Sequence, residues 1–78
     1  MSDIKKQNKE INKLLLENIK KAINENGFSI KEVAEQLGID YSTGWRILHG
    51  KRGIKPEHIA EIAFMTNRTP NDFFYVKD

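Results

Sequence analysis

Cysteine is absent from the 78 residues, so no disulfide, thiolate zinc site or cysteine nucleophile can be built, which is compatible with a reducing, cytoplasmic setting. Long apolar runs are missing too. The longest are Ile62 to Met65 and Phe73 to Val76, with Leu14-Leu15-Leu16 next, far short of the ~20 residues that span a bilayer, so no membrane association is expected. The N-terminus also lacks the apolar stretch of a secretion signal. No internal repeat, low-complexity tract or sustained β-type alternation occurs. With 38% apolar residues the chain fills one small core and has a narrow stability margin. A core of this size has little room for the deep, water-excluding pocket of an enzyme.

Charge is nearly balanced at +2, but it is unevenly placed. Residues 1–25 carry +2 and residues 40–55 carry +3, through Arg46, Lys51, Arg52 and Lys55 against Asp40 alone. The C-terminal third, residues 56–78, carries −2. A local basic patch of this kind suits a small nucleic-acid-binding face better than a uniformly charged surface does.

The apolar spacing is helical throughout, which predicts an all-α chain. Ile11, Leu15, Ile19, Ala22 and Ile23 step by three and four and draw one stripe along a first helix, which stops at Asn26-Gly27. Residues 1–10 form either a basic arm or an extension of that helix, and residues 11–78 form the domain. Ser29-Ile30-Lys31-Glu32 is a capping box that starts a second helix, with Ile30, Val33, Ala34 and Leu37 inward and Gly38 ending it. Asp40 caps a third helix from Tyr41 to about His49, and Gly50 closes it. Pro56 suits the first turn of a fourth helix, with Ile59, Ala60, Ile62, Ala63 and Met65 inward, and Asn67 stops it. Thr69-Pro70-Asn71-Asp72 opens a short fifth helix through Phe73 and Phe74.

Catalytic and metal-binding constellations are lacking. His49 and His58 have no third ligand in view, and Glu32 and Glu35 sit one turn apart on a polar helix side. Ser42 and His49, seven residues apart on one helix, are too distant for a nucleophile–base pair. No cofactor and no enzymatic activity are expected.

The informative stretch is the second helix, the tight turn and the third helix. Two helices joined by a short Gly-containing turn cross steeply, and only a small residue fits where they touch. Ala34 stands at that place, Gly38 permits the turn, Ile39 plugs beneath it and Ile47 anchors the third helix. Ser29-Ile30-Lys31-Glu32-Val33-Ala34-Glu35-Gln36-Leu37-Gly38-Ile39 and Arg46-Ile47-Leu48-His49-Gly50-Lys51-Arg52 resemble the lambda-repressor-like (Cro/CI-type phage repressor) helix-turn-helix family. With the following helix and Thr69-Pro70-Asn71-Asp72-Phe73-Phe74, the resemblance runs from about Leu15 to Phe74 and implies that family's compact five-helix fold.

The resemblance further implies that the third helix enters the major groove of double-stranded DNA while the second lies across the phosphates. Position by position, the base-reading places fall on Tyr41, Ser42 and Arg46, with Thr43 and Trp45 nearby. The phosphate places fall on Ser29, Ile30 and Lys31 and on Lys51 and Arg52, with Lys55 on the same loop. The residues are chemically apt. The Arg46 guanidinium matches guanine O6 and N7, the Ser42 and Thr43 hydroxyls serve a base edge or a phosphate, and Tyr41 packs a thymine methyl or donates to a phosphate. The start of the second helix offers free N–H groups to an anion.

Three positions depart from the family pattern. Ile30 replaces a polar phosphate-touching residue, which passes that contact to Lys31 or to a backbone N–H. Gly44 replaces a branched apolar residue, so a gap between the second and third helices is expected. Trp45, at a usually polar place, either covers that gap or lies against the DNA backbone or a partner.

Phe64, Phe73, Phe74, Tyr75 and Val76 exceed what a small core absorbs, with Phe64 on the exposed side of the fourth helix. In the resembling family this region makes a two-fold dimer, so a homodimer reading a palindromic site is expected, acting as a transcriptional repressor. The rival reading is an interaction module on the same fold, such as an antitoxin or anti-repressor, whose protein partner meets Trp45 and the C-terminal aromatics.

Overall fold

The computed structural model describes residues 2–74, with side chains described from residue 11 onward. Four α-helices and a terminal 3-10 turn follow one another: α1 Ser2–Glu25, α2 Ile30–Leu37, α3 Tyr41–Leu48, α4 Pro56–Met65 and the turn Pro70–Phe74. There is no strand among the described residues. The fifth expected helix is thus a single 3-10 turn, and α1 runs unbroken through residue 10.

All four α-helices end by the same device. After each, the second N–H beyond the last full turn reaches back to a carbonyl five residues earlier: Phe28 to Ile23, Ile39 to Ala34, Lys51 to Arg46 and Arg68 to Ala63. The N–H before it reaches back three: Gly27 to Asn24, Gly38 to Glu35, Gly50 to Ile47 and Asn67 to Phe64. This paired closure needs a left-handed residue at its centre. Gly27, Gly38 and Gly50 supply it at φ of 74°, 71° and 73°, and Asn67 supplies it at 57°.

Helix starts are equally local. Ser29 and Glu32 close the capping box in both directions, at 3.1 and 3.0 Å. Asp40 accepts from the Thr43 N–H at 3.4 Å and from the Thr43 hydroxyl. At α4 the box is half made, with the Lys55 N–H donating to Nδ1 of His58 at 3.3 Å.

The core gathers Leu15, Ile19, Ala22 and Ile23 of α1, Val33 of α2, Leu48 of α3, Ile62 and Ala63 of α4, and Phe73. Two expected members stay outside it: Ile11 is 50% exposed and Ala60 is exposed. Each lies on its helix beyond the surface that the neighbouring helices cover. Phe73 corrects the expected dimer surface, for it is 1% exposed and belongs to the core. The turn carrying it is pinned to α1 by Asn18 Nδ2, which donates to the Phe73 carbonyl at 2.7 Å. Tyr75 and Val76 lie outside the described residues. Phe64 is 78% exposed and Phe74 46%, as a surface position of α4 and of the turn allows.

Candidate nucleic-acid interface

Helix α3 has two faces of opposite character. Gly44, Ile47 and Leu48 are buried, while Tyr41, Ser42, Trp45, Arg46 and His49 are exposed. The exposed residues follow one another at intervals of one and three, which places them on a single side of the rod. Thr43 is half-buried at the edge. Its hydroxyl donates to the Asp40 carboxylate, so the proton expected for DNA is already engaged in the helix cap.

No gap separates α2 from α3. A Cβ on Gly44 would stand 3.0 Å from Cβ of Ala34 and 3.8 Å from Cδ1 of Ile39. Gly44 is therefore the contact point of the crossing, and the missing side chain is what lets the helices approach. The expected gap is overturned, and with it the need for Trp45 to fill one. Trp45 instead stacks on His49 one turn later, with ring centroids 4.0 Å apart and planes 14° apart.

His49 is doubly held. Its Nδ1 lies 2.9 Å from the Trp45 carbonyl oxygen. A carbonyl only accepts, so Nδ1 carries a proton and Nε2 is the nitrogen left for another partner.

Asp40 is the only acid in the basic stretch, and its carboxyl is held below its ordinary value. The Thr43 hydroxyl is the largest cause; desolvation opposes it, and the N–H groups of Thr43 and of Asp40 itself and the positive charge of Arg46 add smaller lowering contributions.

The remaining expected phosphate positions surround this helix. Ser29 and Lys31 are exposed at the start of α2, whereas the Ile30 side chain packs against the core, leaving its backbone as its polar contribution. Lys51, Arg52 and Lys55 are exposed on the loop after α3. The carbonyl of Arg46 accepts from both Lys51 N–H at 2.8 Å and Arg52 N–H at 3.2 Å, which turns this loop back alongside α3.

Sequence reasoning missed the contribution of α1 to this side. One open groove is walled by Lys13, Leu16, Glu17 and Lys20 of α1 with His49 and Gly50. It adjoins a second groove lined by Lys20, Phe28, Ile30, Leu48 and His49, and a third lined by Leu16, Gly50, Lys51 and Arg52. The spacing of residues 13, 16, 17 and 20 was a visible one-sided helical pattern, but nothing in it announces what it faces. Among the described residues no cluster of His, Cys, Asp or Glu could hold a metal, and no helix is long and apolar enough to cross a membrane.

A short helix pair meeting at a glycine, with a free polar edge and flanking basic loop, defines a helix-turn-helix domain of the DNA-binding class. Residues 18–78 match the family model of the Cro/C1-type HTH DNA-binding domain, and the chain belongs to that family. No curated protein and no solved structure matches the chain significantly. Family membership supports a DNA-binding transcriptional regulator.

Proposed function

We propose that the protein is a sequence-specific transcriptional repressor of the cytoplasm, binding a palindromic DNA operator as a homodimer. The observation that carries the reading is the free polar edge of α3, bearing Tyr41, Ser42, Trp45 and Arg46, on a helix whose other side is locked into the body. In this account Arg46 presents its fork to guanine, and Tyr41, Ser42 and Trp45 meet neighbouring base edges or sugars. Thr43 contributes its methyl group and its free lone pairs, since its proton is committed to Asp40. Ser29, Lys31, the Ile30 backbone, Lys51, Arg52 and Lys55 hold phosphates on either side.

Dimerisation is supported by Phe64 and Phe74, two exposed rings on elements that pack against each other. Pairing through them removes from water an apolar surface that a monomer leaves open. With a two-fold axis there, two α3 helices reach half-sites ~34 Å apart.

Titration of labelled duplex DNA at rising salt tests the reading. Affinity is expected to fall steeply with salt, because phosphate neutralisation supplies much of the binding. Sedimentation at micromolar concentration is expected to give a species twice the mass of the 9.0 kDa chain. A weak, salt-insensitive response to duplex DNA contradicts the DNA assignment. A lone 9.0 kDa species with and without DNA contradicts the dimer.

A further inference from the structure

We infer that Lys13 and Lys20 of α1, together with His49 at the end of α3, form an additional phosphate-binding strip whose grip on DNA strengthens on acidification. The inference rests on the DNA-binding reading and adds contacts from an element outside the helix-turn-helix itself.

The three grooves share walls: Lys20 and His49 are common to two of them, and Leu16 and Gly50 to another two. At one end the strip runs into Ile30 at the start of α2, and at the other into Lys51 and Arg52. It therefore joins the two proposed phosphate-holding sites across the end of α3. A sugar–phosphate chain following α3 meets Lys13, Lys20 and His49 between them.

Lys13 and Lys20 are exposed and lie seven residues apart, two turns of one helix side. Among the described residues Glu17 is the only acid walling the groove, so their share of the strip is positive with one opposing charge.

With Nδ1 donating to the Trp45 carbonyl, neutral His49 turns only a lone pair at Nε2 towards a phosphate, and the two repel. Protonation converts Nε2 to a charged donor, which a phosphate oxygen accepts. Stacking on Trp45 holds the ring in place for either state. Among the described residues, the charged groups that share these grooves with His49 are Lys13, Glu17 and Lys20.

The test is fluorescence anisotropy of the full chain with a labelled duplex, one of operator sequence and one of random sequence. K13Q/K20Q is expected to weaken both duplexes alike and to lower the slope of log K against log salt by about 1–2. E17Q is expected to tighten both. Wild-type affinity should rise several-fold from about pH 8 to about pH 5.5, and H49Q should remove that rise while H58Q retains it. All the changed residues of the strip lie on the surface, and circular dichroism checks that the variants fold. With wild-type binding intact, an unchanged slope in K13Q/K20Q overturns the strip, as does an unchanged pH response in H49Q. If the wild type binds neither duplex, the DNA reading itself falls, which separates the two failures.

Discussion

Gly44 meets Ala34 so closely that a methyl group on the glycine would stand 3.0 Å from the alanine's own. Both atoms belong to or adjoin rigid helix backbone, so neither can swing aside. An added methyl improves helix propensity by ~1 kcal/mol, yet it forces the helices apart. We expect the separation to dominate. Gly44→Val should destabilise the fold by about 1–3 kcal/mol, the usual range for an overpacked core. Gly44→Ala should be milder, and adding Ala34→Gly should recover part of its loss, giving a non-additive cycle in chemical denaturation.

The pairing of Asp40 with Thr43 makes stability depend on pH at the acidic end. The folded carboxyl titrates below the ordinary value of 3.8. Its contribution is therefore complete above that value and is lost as pH falls through the folded one. Asp40→Asn keeps a competent helix cap and removes the charge. Denaturation midpoints of wild type and variant are expected to converge as pH drops below about 4, the carboxylate range. A constant difference across that range contradicts the assignment.

Phe73 and Phe64 should respond in opposite ways. Truncating the buried ring, Phe73→Ala, should cost about 3–5 kcal/mol, enough to unfold much of a domain this small. Phe64→Glu should leave the fold of the single chain intact by circular dichroism, since the ring is 78% exposed on it. Under the dimer proposal it should convert the sedimenting species to a monomer and weaken operator binding.

Local features of the fold were legible in the sequence, and features that depend on distant packing were not. The Ser29 box, the Asp40 cap, the closing glycines and Asn67 are settled within five residues of chain, and each stands where the sequence placed it. Phe73 was misplaced because the turn that carries it is pinned to α1, 55 residues earlier, where Asn18 donates to its backbone carbonyl. Gly44 was misread as a vacancy for a similar reason: its meaning lies in Ala34, on another helix. At the candidate site the exposed edge of α3 followed from helical spacing alone. The Thr43 hydroxyl's commitment to Asp40 and the nearness of Lys13 and Lys20 to His49 did not.

Arg46 and Lys51 differ in what they are expected to contribute. Arg46→Ala should cost about 1–3 kcal/mol on the preferred duplex and flatten preference at one or two base pairs. Lys51→Ala should weaken all duplexes similarly and reduce the salt slope by about 1. Competition titrations against a panel of single-base variants separate the two patterns. An unchanged base preference in Arg46→Ala contradicts its proposed role.

Selection of bound duplexes from a random pool tests the central proposal most directly. The account predicts enrichment of an inverted repeat whose half-sites are centred about one helical turn apart, ~34 Å. Recovery of sequences no different from the input pool would contradict it.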